Sequence, residues 1–404
     1  MTIDIKKLQT NFDFIKNKFY NKKIILFGAG IVAEKTLNYF DKKKIDYILD
    51  NSKNLYKYSF NGLKVNNPSI LKKKYKGQPI IICSTSFFEI INQLKKFKKK
   101  LNIFINPILN DRVIISEIDQ INKDIIFTSG MQPQKNKLSG GGVYKISYNS
   151  KGNKIKKIHS GNSYGILKNN NKIIITDDNS GILIFSKKLK LLKKKKLPNN
   201  VRPHGIAFCK KVKNYFIVSS MRDCVLVFDE EFNHINQIDI SNKFKKVGTA
   251  QHHCNDIAII GSFGYVSMFS LSGNFKKDFF DGGLVEFDTE TLKITNYINK
   301  DLWMPHSISF FRNSLTILDS LKGNLLSNNF QVLGSFPGFS RGLDYDGKFF
   351  YIGQSRNRNY SKILGISNNI SIDSSIIIFE PETKVSKSIL IPSTISEIHS
   401  IMVL

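Results

Sequence analysis

A short motif occurs six times in the last two thirds of the sequence: a polar residue, then a small or polar residue, then an aliphatic residue. The first residues of successive copies lie between 35 and 58 residues apart. The copies are Tyr164-Gly165-Ile166, His204-Gly205-Ile206, Asn255-Asp256-Ile257, His306-Ser307-Ile308, Arg341-Gly342-Leu343 and His399-Ser400-Ile401. Repeats of this length, built from short β-type runs broken by Gly, Asn and Asp, are typical of β-propeller blades.

A second landmark fixes where each motif lies within a blade. Twelve residues after the first motif residue, hydrophobic strands end at Thr176, Ser267, Leu318 and Gly353, and the His204 copy has the same feature at Ser219. A polar turn and another β-type run follow, as in GILIF and CVLVF. We therefore interpret each motif as the start of the inner strand of a four-stranded blade.

The sixth blade is divided between the two ends of this region. The last motif lies at the C-terminal end of the sequence, whereas residues 124–148 supply second and third strands without a first. We predict that the C-terminal strand enters this sheet and closes the ring, which removes exposed sheet edges. The predicted domains are a small Rossmann-like, nucleotide-binding domain over residues 1–118 and a six-bladed β-propeller over residues 119–404.

The first part of the sequence has the pattern of a small Rossmann-like domain with a parallel sheet. A buried-strand run, KKIILFG, leads into GAGIVA at 28–33 and an amphipathic helix. A second strand ends at Asp50, and a third leads into Ser84. In this pattern the glycines let a phosphate approach the helix, and the acid binds a ribose. We predict that Gly28, Gly30, Asp50 and Ser84 bind a nucleotide, although glycines at this turn are also needed for packing alone.

This first segment resembles the small N-terminal domain of bacterial sugar O-acyltransferases and, equally, the C-terminal Rossmann-like domain of sugar C-methyltransferases. The shared elements are ILFGAG, YILDNS, FNGLKV with Pro68 after it, and IIICSTS. The resemblance implies a nucleotide or nucleotide-sugar as ligand and a role in surface-glycan or nucleotide-sugar metabolism. A degenerate Rossmann domain that binds nothing is the alternative.

The second region resembles a bacterial propeller family catalogued only as a domain of unknown function, number 4915. The resemblance rests on long blocks: HHCNDIAI, YVSMFSLSGN, FDGGLVEFD, DLWMPHSISF, LDSLKGNL and GFSRGLDYDGKFFYIGQSRNR. It implies a propeller fold and no particular chemistry.

The first motif residues should form a ring, because the loops that lead into the inner strands of a propeller lie at one mouth of its channel. Histidines in alternate blades suggest a metal bound by three nitrogens, but the charge of Arg341 opposes a cation and favours an anion. We therefore predict an anionic or polyhydroxylated small-molecule ligand and no metal. The candidate substrate-binding residues are Tyr164, Arg202, Asn255, Arg341 and Arg356, with Arg358 beside them.

Histidines at the mouth are candidates for proton transfer, since the unperturbed pKa of histidine is about 6.5. The candidate catalytic residues are His204, His253, His306 and His399, with Asp177, Asp256 and Asp319 to orient them. The alternative is that these groups only bond neighbouring blades and channel water. The sequence leaves open whether the protein is an enzyme, and a non-catalytic scaffold with a protein partner is the second functional hypothesis.

Composition argues against several other functions. The formal charge of +29 comes almost entirely from scattered lysine without interleaved aromatic residues, so we predict no nucleic-acid partner. Four distant cysteines without a C-x-x-C pair argue against disulfides and cysteine-built metal sites. No apolar run is long enough to span a bilayer and the N-terminus lacks a secretory hydrophobic segment, so we expect a cytoplasmic protein.

Overall fold

The computed structural model of the chain describes residues 8–97, 100–134, 138–277, 279–327, 329–356 and 370–404. The chain forms two compact units, Met1–Glu117 and Ile118–Leu404. Each unit has its own sheets and its own hydrophobic clusters.

The first unit contains one six-stranded sheet and flanking helices. Its strands are β1 (Ile24–Phe27), β2 (Ile45–Leu49), β3 (Ser59–Phe60), β4 (Leu63–Asn66), β5 (Pro79–Ile82) and β6 (Asn102–Ile105). The helices are α1 (Phe12–Lys18), α2 (Ile31–Leu37), α3 (Leu71–Lys74), α4 (Phe87–Lys95) and, after β6, α5 (Asn110–Asp119). The strand order is β3-β4-β2-β1-β5-β6, and all neighbours are parallel except β3 and β4.

Two hydrophobic clusters cover the two faces of this sheet. Ile25 and Phe27 of β1 belong to one cluster, whereas Ile24 and Leu26 belong to the other. The division follows from the two-residue period of a strand. β1 and β5 are buried along their whole length, as expected for central parallel strands covered by helices. The unit is thus a mixed, mainly parallel sheet with helices.

The second unit consists of six four-stranded sheets, so the six-bladed β-propeller is confirmed. Its strands are β7 (Lys123–Pro133), β8 (Gly140–Asn149), β9 (Gly152–Ser160), β10 (Ser163–Asn169), β11 (Lys172–Asp177), β12 (Gly181–Ser186), β13 (Leu191–Lys195), β14 (Pro203–Cys209), β15 (Asn214–Ser219), β16 (Cys224–Phe228), β17 (His234–Asp239), β18 (Cys254–Ile260), β19 (Phe263–Met268), β20 (Gly282–Asp288), β21 (Ile294–Leu302), β22 (Pro305–Phe311), β23 (Ser314–Asp319), β24 (Asn324–Ser327), β25 (Gln331–Ser335), β26 (Phe339–Tyr345), β27 (Phe350–Ser355), β28 (Ser375–Phe379), β29 (Ser386–Leu390) and β30 (Ile401–Val403). A short helix, α6 (Lys243–Val247), lies between β17 and β18.

Five blades are formed by consecutive strands, and the sixth is not. Blades 1 to 5 are β10–β13, β14–β17, β18–β21, β22–β25 and β26–β29, and blade 6 has the order β30-β7-β8-β9. In blade 6, β30 is antiparallel to β7, with Ile401 opposite Phe127 and Val403 opposite Ile125.

The position of a strand within its blade determines its composition. The third strands β12, β16 and β28 are buried almost throughout and consist mainly of Ile, Val, Leu and Phe. The fourth strand β13, in contrast, is exposed along most of its length and carries the lysine run at 193–195. Part of the lysine excess therefore lies on the solvated outer strand of a blade.

Each complete inner strand is interrupted at its motif. The pairing of β10, β14, β18, β22 and β26 with the next strand shifts register at Ser163/Ile166, Pro203/Ile206, Cys254/Ile257, His306/Ser309 and Arg341/Leu343. An extra residue of this kind re-aims a side chain and releases backbone groups from the ladder. In blades 1 to 5 the repeated motif is therefore the sequence of a β-bulge near the start of the inner strand.

The middle motif residue is small or polar because it contacts the next blade. A Cβ on Gly165 would lie 2.4 Å from the carbonyl oxygen of His204, which leaves no room for a side chain. Where the middle residue is polar, it bonds across the same gap: the N–H of Gly342 donates to Ser307 Oγ (2.9 Å). The motif therefore combines a bulge with a contact between blades.

No helix in the described ranges combines the length and the apolar character that a bilayer crossing requires.

Candidate functional site

The first motif residues of four blades lie side by side. Tyr164 stacks on His204 with ring centroids 4.5 Å apart, and His399 lies 4.9 Å from each of these two rings. The His306 ring is 5.9 Å from that of His399. We call the six first motif residues the mouth ring: Tyr164, His204, Asn255, His306, Arg341 and His399.

Two further contacts connect the remaining blades to the mouth ring. His253, two residues before Asn255, lies 6.1 Å from the His204 ring and adds a fourth imidazole. The Arg341 guanidinium lies 4.6 Å above the ring of Phe339, and that ring is 5.5 Å from His306. The structure thus brings the predicted histidines, Tyr164 and Arg341 together in one largely buried cluster.

Blades 2, 3 and 4 hold their mouth-ring side chains in the same way. Each side chain contacts the carbonyl oxygen two residues earlier: His204 Nδ1 to Arg202 (3.2 Å), Asn255 Nδ2 to His253 (3.2 Å) and His306 Nδ1 to Met304 (2.9 Å). The carbonyl residues have φ angles of 40°, 55° and 54°. Residues other than glycine rarely adopt this conformation, which costs on the order of 1 kcal/mol or more. The same unfavourable turn in three blades indicates that the orientation of these side chains is specified.

These contacts determine which ring atoms remain to bind a ligand. A carbonyl oxygen only accepts hydrogen bonds, so we assign the ring proton of His204 and of His306 to Nδ1, which donates it to the carbonyl. Ser320 Oγ, 2.8 Å from His306 Nδ1, can accept the same proton. Nε2 of each neutral imidazole is then an acceptor. For the same reason Asn255 presents Oδ1, which is buried and has no hydrogen-bond partner among the described residues. Nδ1 of His399 is buried and unpartnered in the same part of the structure.

Burial keeps the four imidazoles neutral. Loss of solvation lowers the pKa of His204 to about 4. Loss of solvation, with the nearby charge of Arg341, also holds the pKa of His253, His306 and His399 well below the usual histidine range. All four side chains are therefore uncharged at neutral pH and act as hydrogen-bonding groups of fixed direction.

Arg341 is paired with an acid that sequence reasoning missed. Its guanidinium lies 3.0 Å from a carboxylate oxygen of Glu397, and the side chains are only 13% and 10% exposed. This pairing offsets the positive charge that we expected to attract an anion. Glu397 is two residues before His399, which is the position that Arg202 has relative to His204. Comparing the residues two before each motif could therefore have identified it.

The other predicted arginines lie at the edge of the mouth. Arg202 is about half exposed, and its Nε lies 4.0 Å from a carboxylate oxygen of Asp178. Arg356 follows β27 and is exposed, and its backbone N–H donates to the Ser396 carbonyl (2.9 Å). Arg358 lies outside the described residues.

The three aspartates expected to orient imidazoles have other bonds. Asp177 accepts from Ser163 Oγ (2.7 Å), Asp256 accepts from its neighbour's backbone N–H (2.9 Å), and Asp319 accepts from the Trp303 backbone N–H (2.7 Å). Nearby backbone N–H groups and the Ser163 hydroxyl take up the carboxylates that we expected to contact imidazoles. Spacing along the sequence does not reveal this competition.

A different aspartate holds the turn that carries His253. Buried Asp223 accepts hydrogen bonds from the backbone N–H groups of three consecutive residues, including His252 (2.8 Å) and His253 (2.9 Å). It lies in blade 2, whereas the turn leads into blade 3. No sequence pattern indicated this role, because the partners are far apart along the chain.

Comparison with known proteins identifies the family of the second unit. A family model described as "Domain of unknown function (DUF4915)" matches residues 152–404, which is more than half of the chain. The chain belongs to this family. No curated protein matches the sequence.

Solved structures match this chain at low sequence identity and with TM-scores below 0.5. A nidogen/laminin complex is 12% identical, covering 70% of this chain and 98% of that chain, with a TM-score of 0.48. A protein of unknown function from Bacteroides caccae is 11% identical over 70% of this chain and 99% of that chain, with a TM-score of 0.48. A putative gluconolactonase is 13% identical over 57% and 78%, with a TM-score of 0.41. At these values the similarities carry no functional information.

No group of three or more His, Cys, Asp or Glu side chains in the described part of the DUF4915 propeller, or of the first unit, is arranged to hold a metal ion.

The predicted nucleotide-binding residues lie outside the DUF4915 region, at the carboxyl ends of neighbouring parallel strands. Gly28 has a φ of 111°, and a Cβ there would lie 3.0 Å from the Cys83 carbonyl oxygen and 3.3 Å from the Ser84 side chain. Asp50 accepts hydrogen bonds from the backbone N–H of Ala29 (2.8 Å) and Ser52 (2.8 Å). Gly28, Asp50 and Ser84 are therefore together, and the Asp50 carboxylate supports the glycine turn.

Gly30 differs from Gly28 because packing does not require it. Its φ of −136° suits any residue. Apart from its two chain neighbours, no described residue has an atom within 4 Å of the position that a Cβ on Gly30 would occupy. The space in front of this residue is open, so the packing of this unit leaves room for a side chain here.

The stability of the DUF4915 propeller should fall in mild acid. The pKa of His204 is about 4 in the folded protein and about 6.5 in the unfolded chain. Because the unfolded chain then binds the proton first, the free energy of unfolding is fully retained above pH 6.5 and falls by about 2 kcal/mol at pH 5 from this residue alone. The other three histidines act in the same direction. Asp256 and Asp319, whose burial raises the pKa to about 6, oppose this loss only in part.

This prediction is checked by urea unfolding at pH 7 and pH 5, followed by the fluorescence of Trp303, the single tryptophan of the chain. The wild-type midpoint should be lower at pH 5, and His204→Gln should reduce the difference. An identical wild-type midpoint at both pH values contradicts the proposed burial of neutral histidines.

Proposed function

We propose that the propeller binds a small, neutral, polyhydroxylated ligand at the channel mouth. The observation that carries the proposal is a set of three acceptors from adjacent blades: His204 Nε2, Asn255 Oδ1 and His306 Nε2. The bonds to the preceding carbonyls fix the direction of all three. Hydroxyl groups donate to such acceptors without bringing charge into a buried site.

The charges at the mouth favour a neutral ligand over an anion. The Arg341 guanidinium already has the Glu397 carboxylate at 3.0 Å, and lone pairs of neutral side chains face an incoming anion unfavourably. The guanidinium can also donate to a hydroxyl group, and the carboxylate can accept from one. Of the two ligand classes expected from the sequence, anionic or polyhydroxylated, the site supports the second better.

The same site supports binding better than catalysis. A general base works best when its pKa is near the operating pH, and burial lowers the pKa of His204 to about 4. His253, His306 and His399 are shifted in the same direction. A catalytic role for these four residues stays a prediction, and the proposed function is ligand binding.

Calorimetric titration with alditols, inositols and methyl glycosides tests this function. At least one compound should bind, and Asn255→Leu, which keeps the shape and removes the acceptor, should weaken its binding about tenfold. Asn236→Leu is the matched control, because Asn236 is exposed on the outer strand β17.

Either of two results would overturn the proposal. One is binding of these compounds that Asn255→Leu leaves unchanged in a folded variant. The other is preferential binding of carboxylates or phosphates.

A second candidate function is nucleotide binding by the first unit, and the open space at Gly30 favours it. Packing does not require a glycine at position 30, and the absence of a side chain there leaves room for a phosphate group next to the turn at Gly28. The Asp50 carboxylate, held by Ala29, lies beside the same turn. The N-terminus of α2, a helix of only 7 residues, is not used as an argument for a phosphate site. The proposal rests on the open space at Gly30 and on the position of the Asp50 carboxylate. UDP- and CMP-sugars are the ligands that the resemblance to sugar-modifying enzymes suggests.

Gly30→Val separates binding from packing in this unit. The variant should unfold at the same urea concentration as the wild type, because no described atom meets the new Cβ. Its affinity for UDP- or CMP-sugars should fall at least tenfold. Ser59→Val on the exposed edge strand β3 is the control and should bind normally. Wild-type binding that persists in Gly30→Val would reject the nucleotide site.

We also infer that β30 closes the propeller ring. The N–H of His399 donates to the Thr128 carbonyl (2.8 Å), and the N–H of Ser400 donates to Thr128 Oγ1 (3.1 Å). The Thr128 hydroxyl in turn donates to the Tyr164 carbonyl of blade 1. One buried hydroxyl therefore joins both parts of blade 6 to the neighbouring blade, which supports closure at this position.

Thr128→Val should lower the free energy of unfolding by about 1 to 3 kcal/mol, because it leaves buried backbone groups without a partner. Deleting residues 401–404 should lower it further by exposing the edge of β7. Thr295→Val, at a surface hydroxyl that bonds Glu286, should change it by about 0.5 kcal/mol or less. Urea unfolding measures all three, and a deletion variant as stable as the wild type would refute closure by β30.

A further inference from the structure

Three aromatic side chains form a band beside the mouth ring. We call Phe275, Phe280 and Trp303 the aromatic band; successive ring centroids are 6.4 Å and 6.3 Å apart. The two phenylalanines lie between β19 and β20, and Trp303 lies two residues before the start of β22. These segments connect to the ends of β19 and β22 at which the mouth ring lies, so the band lies on the same side of the propeller as the mouth ring.

The aromatic band is continuous with the mouth ring. Phe275 packs against His253 with ring centroids 4.7 Å apart. Phe269 contacts both of these rings and lies 5.3 Å from His306. A ligand that reaches the His306 acceptor therefore lies next to aromatic surface.

The aromatic band is more accessible than the hydrophobic residues that support it. Phe269, Met304 and Phe339 are each less than 8% exposed, whereas the three band residues are only partly buried. Partly exposed aromatic rings beside a few fixed polar groups are typical of small-molecule sites. The band therefore offers an apolar wall to whatever binds the acceptors.

Trp303 is held through its backbone and through its ring. The backbone N–H of Trp303 donates to Asp319 (2.7 Å), and the Lys322 ammonium lies 5.3 Å from the centre of the indole ring. Lys322 also pairs with Asp319 at 3.3 Å. Asp319, which sequence reasoning assigned to an imidazole, thus helps to orient the aromatic band.

We propose that the ligand of the mouth ring is a sugar in its ring form, whose apolar C–H face packs on the aromatic band while its hydroxyl groups reach the acceptors. This inference rests on the proposed function and specifies the ligand class. A pyranose has hydroxyls at its rim and C–H groups on its faces, so one molecule satisfies both surfaces. A linear polyol has the hydroxyls but no flat apolar face.

The single tryptophan of the chain makes the contact measurable. Methyl β-D-glucopyranoside, methyl β-D-galactopyranoside and methyl α-D-mannopyranoside are titrated separately, with D-sorbitol as the linear comparison. At least one pyranoside should change the Trp303 fluorescence, with the same Kd as in calorimetry. Its Kd should be at least tenfold lower than that of D-sorbitol.

Variants of the aromatic band identify the surface that makes the difference. Phe280→Leu should weaken pyranoside binding in calorimetry roughly five- to tenfold and leave D-sorbitol binding unchanged. Trp303→Phe should keep the calorimetric affinity within about threefold while it removes the fluorescence signal. Phe263→Leu is the matched control, because Phe263 is 40% exposed at the opposite end of β19.

The results separate this inference from the function on which it rests. Pyranosides and D-sorbitol could bind equally well, with binding weakened by Asn255→Leu and unchanged by Phe280→Leu. That result would overturn the sugar inference and leave the proposed polyhydroxyl site in place. If none of the four compounds binds, the sugar inference is overturned, and if the inositols do not bind either, the proposed function is overturned as well. Pyranoside binding that is weakened by Asn255→Leu and by Phe280→Leu supports both.

Discussion

The close approach of neighbouring inner strands around the propeller axis is the constraint on which the site depends. Six sheets converge there, and a Cβ at Gly165 would lie 2.4 Å from the backbone of the next blade. The chain meets this constraint with a small or polar middle residue and a bulge in each complete inner strand. The bulge also turns the preceding side chain toward the other blades. Packing between blades and the polar mouth ring therefore have one structural cause.

Burial at this convergence determines the chemistry of the ring. Four imidazoles that would titrate near neutral pH in water become neutral hydrogen-bonding groups, because solvation is lost and Arg341 is nearby. Left-handed turns at Arg202, His253 and Met304 place the carbonyl oxygens that orient the side chains of His204, Asn255 and His306. Each such turn is unfavourable locally and has to be compensated by packing elsewhere. The propeller is large enough to supply that compensation, as its continuous apolar third strands show.

The sequence predicts the fold better than the site, and the reason is physical. Blade number and the identity of the mouth ring follow from periodicity, because equivalent positions in equivalent sheets meet at the axis. Pairings between blades do not follow from periodicity. Glu397 beside Arg341 and Asp223 beneath His253 are contacts through space between unrelated segments. Of the two ligand classes expected from the sequence, anionic or polyhydroxylated, the contact of Glu397 with Arg341 favours the second in our proposal. In the first unit, likewise, spacing alone could not distinguish Gly28, which packing requires, from Gly30, which it does not.

The burial that orients the histidines also limits what they can do. A pKa of about 4 leaves His204 a neutral hydrogen-bonding group and a weak base, so the burial that suits it to the proposed ligand binding disfavours proton transfer. Asn255 Oδ1 is buried without a partner among the described residues, and an unpartnered buried acceptor costs free energy. A hydroxyl group that donated to it would recover this free energy, whereas an anion would bring a second negative charge beside the Glu397 carboxylate. This is the physical basis of the preference for a neutral ligand that we propose.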